Sequence, residues 1–359
     1  MPSSKKSSKK ILQNVSESIG NTDLIRIASL SKLTGCEILL KCEHQNPGGS
    51  IKDRAALQIV DDAITAGKLK SGMTIVEGTA GNTGIGLALV AKALGFNLIV
   101  VMPKGQTPEK ERLIELHGAE LRLVDACPFT NQNHFYHTAK RIAEENDHYW
   151  WADQFENTSN YQAHYQNTAP EIWQQTDGKI DAFVSVCGTG GTIAGNSKYF
   201  SEKNPNILNW LVDPDGSGIH NYLKTGSYVA SEGSSFTEGI AIMRLVENFK
   251  AAKIHHSVNL PDRDLVAFSR FVRDQDGIVL GSSSALNVAG AVFAAAKMGK
   301  DKRVVTFSCD LGERSYSKLW SEAFLKTKDI KLSSPESNQQ YVNTLFNQYR
   351  RSDNYLTLV

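Results

Sequence analysis

The sequence predicts an α/β protein whose mostly parallel sheets are covered by helices on both faces and divided between two domains. Three observations carry that reading. Short, continuously apolar runs alternate with longer segments of helical period, as expected for strands buried on both faces. Gly, Ser or Asn marks each junction where a strand must turn into a helix. An irregular stretch at 150–166 separates two such series, and 359 residues suffice for two domains.

Along the chain, a turn at 46–51 opens a helix over 55–66. Residues 73–77 read as a buried strand, followed by a Gly-rich loop and a helix through residue 94. A strand at 98–102 is closed by Pro103. Thr107 and Pro108 start a helix, because proline fits the first helical position and Glu109 and Glu111 lie where the helix dipole favours acids. A strand at 121–124 and a helix at 135–145 complete the first series. The second runs through strand 182–187, a Gly-rich loop, a helix from 193 and strand 210–212. It closes with an apolar run at 278–280, an Ala-rich helix at 285–298 and strand 303–308. The chain turns polar from about 329, and 341–349 has the spacing of a short amphipathic helix. In such architectures ligands sit in the strand-to-helix loops, where the Gly-rich segments fall.

Composition removes several classes. With 39 Lys+Arg against 38 Asp+Glu the formal charge is +1, so nothing draws the chain to nucleic acid or an anionic membrane surface. No apolar run is long enough to span a bilayer. Cys36, Cys42, Cys127, Cys187 and Cys309 are widely spaced and form no C-x-x-C pair. That excludes a disulfide scaffold and points to a reducing, cytoplasmic setting. His134 with His137, and His255 with His256, lack partners at metal-ligand spacing, so no metal is expected. Residues 1–10 are basic, Ser-rich and without an apolar stretch, which predicts a disordered tail.

Three loops carry chemistry. In Gly188, Thr189, Gly190, Gly191 and Thr192, glycines let an anion approach the backbone at a helix start and threonines add donors. The segment has neither P-loop nor dinucleotide spacing, so it suits a single phosphate, although a plain tight turn uses the same residues. Lys52 follows a Gly-Gly-Ser turn at a helix start. There the dipole would lower its pKa, as imine chemistry needs; the alternative is an ordinary surface lysine. In 77–86, small residues precede Asn82 and Thr83, leaving N–H groups and a hydroxyl for a carboxylate.

Together P-G-G-S-I-K-D-R, T-A-G-N-T-G-I-G-L-A and G-T-G-G-T-I-A-G, with the opening S-I-G-N-T-D-L-I, resemble the pyridoxal 5′-phosphate (PLP) enzymes of the tryptophan-synthase-β type. The likeness is to the cysteine synthase and cystathionine β-synthase family and runs from about residue 19 to 317. It implies two three-layer αβα domains with the PLP site in the cleft between them. Residues 11–45 and 158–325 would form the larger, phosphate-binding domain, 46–157 a smaller mobile one, and 326–359 an extension of unknown role. It implies further that Lys52 carries PLP and later moves the α-proton, and that 188–192 hold the phosphate. Asn82 would bond the ring 3′-oxygen and Ser283 face the ring nitrogen. Thr79, Gly81, Thr83 and Gln154 would hold the substrate carboxylate, with Gly239 in a loop beside the cofactor.

The resemblance implies a cysteine synthase, in which an activated serine such as O-acetylserine loses its β-substituent and sulfide replaces it. Alternatives are a cystathionine β-synthase-like serine sulfhydrylase, a cysteine desulfhydrase, and a non-catalytic regulatory binding protein. It implies a homodimer and a possible partner in the C-terminal peptide of a serine acetyltransferase. The chain departs from the family pattern at Asp23, where proline is usual, at Ala80, where serine is usual, and at 309–310, where Cys-Asp replaces Pro-Ser. Asp310 would add negative charge near the site. Arg244 is either a surface charge or a recognition group for an anionic donor such as phosphoserine.

Overall fold

The computed structural model describes residues 11–242 and 244–358; the tail expected at 1–10 lies outside them. The strands are β1 (Leu24–Arg26), β2 (Glu37–Cys42), β3 (Thr74–Gly78), β4 (Asn97–Pro103), β5 (Glu120–Val124), β6 (Tyr149–Trp151), β7 (Ala182–Val186), β8 (Leu208–Pro214), β9 (His256–Leu260), β10 (Arg303–Ser308) and β11 (Leu356–Thr357). They form two sheets, ordered β1-β2-β10-β7-β8-β9-β11 and β5-β4-β3-β6. Every pair in the smaller sheet is parallel, as are the interior pairs of the larger one. The α/β expectation therefore holds. Strands β1, β2, β6, β9 and β11 are new, and the apolar run at 278–280 makes only an isolated bridge, Leu280 to Leu311. The antiparallel edges β1 and β11, of three and two residues, are too short for a periodic signal.

Apolar continuity explains the interior strands. All five residues of β7 are buried, and Phe183 on it meets Phe200 and Phe307 edge-on at 5.4 and 5.7 Å. The smaller sheet buries Ile75, Val100 and Met102 against Ile59 and Val60 of helix Lys52–Thr65 and Ile85 and Leu89 of helix Asn82–Leu94. Each fully buried aliphatic contributes about 2 kcal/mol.

Helix starts lie earlier than hydrophobic period suggests. Lys52, Gly191 and Ser282 are first residues of helices Lys52–Thr65, Gly191–Lys203 and Ser282–Met298. A first turn needs no apolar face, so its residues fall outside the pattern. These starts aim at the cleft.

Helix Lys52–Thr65 is also anchored electrostatically. Arg54 Nε and Nη2 donate to Glu43 at 2.6 and 2.9 Å, and Nη1 and Nη2 donate to Glu171 at 2.7 Å each. Lys41 Nζ donates to Glu171 at 2.7 Å. Burial alone would raise the Glu171 carboxyl; the Arg54 and Lys41 cations outweigh it and hold it at about 2.

The polar C-terminal stretch is part of the folded body. Its helix runs Pro335–Arg351, longer than 341–349, and buries Val342, Leu345 and Tyr349. Tyr349 donates its hydroxyl proton to Asp264 at 2.5 Å. Beyond it, β11 covers the β9 edge, where Trp210 stacks on His256 and Tyr355. Among the described residues no helix is long and apolar enough to cross a membrane.

Candidate active site

The loops after β3 and β7 open into a cavity of about 710 Å³ between the sheets. Lys52, Thr79, Gly81, Asn82, Thr83, Gln154, Gly188, Thr189, Gly190, Thr192, Gly239 and Ser283 all line it. Of the thirteen residues named from sequence, Gly191 alone does not; it sits behind the loop, where a Cβ would meet Asn160 Oδ1 at 2.0 Å.

Lys52 opens its helix with its backbone N–H donating to Ser50 Oγ at 3.2 Å. Its amine lies below the usual lysine value, chiefly through burial. The direction agrees with the sequence reading, but desolvation rather than the helix dipole is the main cause. Cys309, Cys187 and Asp310 oppose the shift. The buried Cys309 thiol is itself pushed up to about 12 by burial, so it stays protonated.

The anion cradle is shaped by close backbone approach. Gly190 has φ +86°, and any Cβ there would meet Phe249 at 2.7 Å. A Cβ on Gly188 would lie 2.1 Å from the Gly239 carbonyl oxygen, so that glycine joins the phosphate-type loop to the 237–240 loop. Asn160 Nδ2 donates to Thr189 Oγ1 at 2.8 Å and to the Gln154 carbonyl at 2.8 Å. His164, buried and held neutral by burial, lies 3.3 Å from Thr192 Oγ1.

Across the cavity, Thr83 donates its hydroxyl to Gln154 Oε1 at 2.6 Å, and Gln154 Nε2 donates to Glu77 and to the Gly78 carbonyl at 3.0 Å each. The Gln154 amide is thus engaged in orienting Thr83. Ala80 lines the cavity beside Asn82. Asn82 Nδ2 donates to Asp310 Oδ2 at 2.6 Å.

Arg244 is no free surface charge. Its guanidinium lies 4.5, 4.8 and 5.3 Å from the ring centres of Phe129, Tyr136 and Phe155, and it pairs with Glu156. His134 caps the helix Phe135–Glu144, and His137 lies 2.7 Å from the Phe129 carbonyl. His255 accepts from the Asn209 N–H at 3.0 Å. Among the described residues no group of three or more His, Cys, Asp or Glu could hold a metal ion.

Sequence reasoning missed the mouth of the cavity. Glu238 accepts from Lys110 Nζ at 2.6 Å and Lys318 Nζ at 2.5 Å, and all three line the cavity. Glu109 accepts from the N–H and hydroxyl of Ser317 at 3.0 and 2.9 Å. Helix Pro108–Leu116 is thereby tied across the cleft to two loops of the larger-sheet side. Isolated charges in a sequence read as solvated, so no local signal marks them.

Asp53, next to Lys52, accepts from the Gly48 N–H at 2.5 Å, while its other oxygen has no partner among the described residues. Burial pushes its carboxyl up to about 7 from 3.8. The stabilisation from its bound proton is therefore full below about pH 4 and lost as pH rises through about 7. Denaturation of wild type and Asp53→Asn between about pH 5 and about pH 8 should show the wild type losing stability relative to the variant as pH rises. Parallel profiles would refute the buried-carboxyl reading.

A desolvated lysine amine and a backbone cradle at a helix start share one cavity, an arrangement suited to holding a phosphorylated aldehyde cofactor on a lysine. The residues fit PLP: a side chain on Gly188 or Gly190 would meet backbone of the adjoining segments, and Ser283 offers a hydroxyl on the cavity wall. The chain belongs to the pyridoxal-phosphate dependent enzyme family, whose model matches residues 15–310. It is 43% identical over 332 residues to a cysteine synthase of Dictyostelium discoideum, spanning 90% of this chain and 88% of that one. It is 44% identical over 335 residues to cysteine synthase 1 of Emericella nidulans, spanning 92% and 90%. The solved O-acetylserine dependent cystathionine beta-synthase of Helicobacter pylori superposes with a TM-score of 0.77 at 30% identity, over 86% of this chain and 99% of that one. The tryptophan-synthase-β-like fold expected from sequence is the fold observed.

Proposed function

We propose that the chain is a PLP-dependent cysteine synthase that replaces the β-substituent of O-acetylserine, or a related activated serine, with sulfide. The observation that carries this is the meeting in one cavity of the Lys52 amine, the 188–192 cradle and the carboxylate-type donors of 79–83. Bound PLP supplies an electron sink for the substrate's α-carbon. Lys52 holds the cofactor and moves the proton at that carbon, Gly188 to Thr192 bind the phosphate, and Asn82 and Ser283 orient the ring. Thr79, Gly81 and Thr83 bind the substrate carboxylate, with Gln154 holding the Thr83 hydroxyl in place. A serine hydroxyl at the ring nitrogen does not enforce ring protonation as a carboxylate would, which favours prompt β-elimination over transamination.

In this reading 46–157 moves against the body formed by 11–45 and 158–325, and the Lys110–Glu238–Lys318 contact closes the mouth against water. The reading extends to a cytoplasmic homodimer, in keeping with five unbonded cysteines. It also includes a serine acetyltransferase C-terminal peptide that would compete with the amino acid for the 79–83 donors. A second reading, a larger thiol such as homocysteine as nucleophile, is favoured by the likeness to the cystathionine beta-synthase structure.

The test is to incubate the PLP-loaded protein with O-acetylserine, serine, phosphoserine or cysteine, each with sulfide or homocysteine, and to identify the product. Cysteine formed fastest from O-acetylserine and sulfide is the expected result. A spectral change with cysteine alone and none with O-acetylserine would overturn it in favour of desulfhydration. Failure to take up PLP would defeat the enzymatic reading.

A further inference from the structure

Asp310 is one of the chain's departures from the family pattern, and the proposed reaction leaves it without a task. It is 3% exposed, and its Oδ2 accepts from Asn82 Nδ2 at 2.6 Å. Its other oxygen has no partner among the described residues. The opposite side of the same amide, Asn82 Oδ1, accepts from Arg314 Nη1 at 3.3 Å. Arg314 is itself buried, and its Nη2 donates to the Gly48 carbonyl at 2.6 Å, in the turn that leads to Lys52. The backbone of Asp310 is pinned in turn by Ser284, whose Oγ donates to the Asp310 carbonyl at 2.8 Å and accepts from its N–H at 3.2 Å. Ser284 neighbours Ser283. Among the described residues, both side-chain partners of Asn82 come from the segment after β10, on the far side of the cleft from Asn82's own helix.

The chemistry of these partners leaves one orientation for the amide. A carboxylate only accepts and a guanidinium only donates, so Asn82 must aim its NH₂ at Asp310 and its carbonyl at Arg314. One Nδ2 hydrogen is taken by Asp310; the second remains for the cavity that Asn82 lines. A serine at 310, the more usual residue there, could donate as well as accept and would not impose that choice. Asp310 also brings negative charge toward the Lys52 amine, which it favours in the protonated form.

We infer that Asp310, backed by Arg314, is a positioning residue: it locks Asn82 so that an N–H faces the cofactor ring. This rests on the PLP reading above.

The test uses full-length wild type, Asp310→Asn, Asn82→Ala and the double variant. PLP affinity is measured by adding PLP to the cofactor-stripped proteins, and the absorbance of the loaded proteins is followed from about pH 6 to about pH 10. Asp310→Asn should weaken PLP binding about tenfold, as loss of a charge-assisted hydrogen bond implies. It should also lower the pH at which the bound-cofactor absorbance changes by about one unit. In the Asn82→Ala background, Asp310→Asn should have no further effect on PLP affinity. Wild-type affinity and pH profile in Asp310→Asn, or additive losses in the double variant, would overturn the proposal. Asp310→Ser serves the same comparison if the asparagine variant misfolds. A wild type that takes up no PLP would instead sink the functional reading, so the two failures are distinct.

Discussion

Lys52→Ala is expected to reduce turnover by about 10³-fold or more while leaving the fold intact. The expected loss is large because one amine both carries the cofactor and moves the proton, and removing a positioned acid–base group alone costs about 10²- to 10⁴-fold. The fold should persist because the Lys52 side chain makes no hydrogen bond among the described residues, and its burial disfavours the charged amine. Thermal unfolding should therefore show a midpoint equal to or above that of the wild type. Borohydride treatment of PLP-loaded wild type should fix the cofactor on Lys52, and peptide mapping would find it there. Turnover near the wild-type rate in Lys52→Ala, or a label on another lysine, would refute the assignment.

Arg54→Met should cost about 3–5 kcal/mol of stability, the range for breaking a buried ion pair by removing one partner. Glu43 is fully buried, and its carboxylate accepts from Arg54 at 2.6 and 2.9 Å. Without Arg54, only Thr22 and Asn46 remain on its oxygens, at 2.7 and 2.9 Å, and both are neutral. The cost should fall when Glu43→Gln is added, because the uncompensated charge then disappears. Chemical denaturation of the two single variants and the double variant gives the coupling directly. A single-variant loss below about 1 kcal/mol, as for an exposed pair, would show that the cluster is solvent-relieved. The expected functional effect is indirect: the cluster ties the first turn of the Lys52 helix to β2 and to helix Ala169–Gln175.

The chemistry of this site was largely legible in the chain because it is written in local, contiguous loops. Gly188, Gly190 and Gly191 must be glycines for the backbone to pass Gly239, Phe249 and Asn160, and Lys52 must follow a turn to open a helix. The segments that demand these glycines are distant, but the residues that answer the demand stand together in the chain, so they leave a readable pattern. Strands β3, β4, β7, β8 and β10 were readable because burial on both faces requires an unbroken apolar run, whereas β2 and β9, broken by Lys41 and by Ser257 and Asn259, were not.

Other features carry no such pattern. Arg244 reads as a surface charge until Phe129, Tyr136 and Phe155 gather around it from distant segments. The polar stretch after 329 shows only a short amphipathic spacing with no indication of what it packs on, yet Val342, Leu345 and Tyr349 join the core of the larger sheet and Tyr349 bonds Asp264. Glu238 joins Lys110 and Lys318, 128 and 80 residues away, and Asn82 takes its orientation from Asp310 and Arg314, 228 and 232 residues away.

By itself, then, the sequence determined the α/β class, the three loops and the kind of ligand they accept, because backbone geometry and apolar periodicity are short-range constraints. Only the tertiary structure decided how Lys52 loses its proton affinity, which charges are paired, and how the asparagine amide is turned. Those properties depend on burial and on partners that the chain brings together only when the two sheets meet across the cleft.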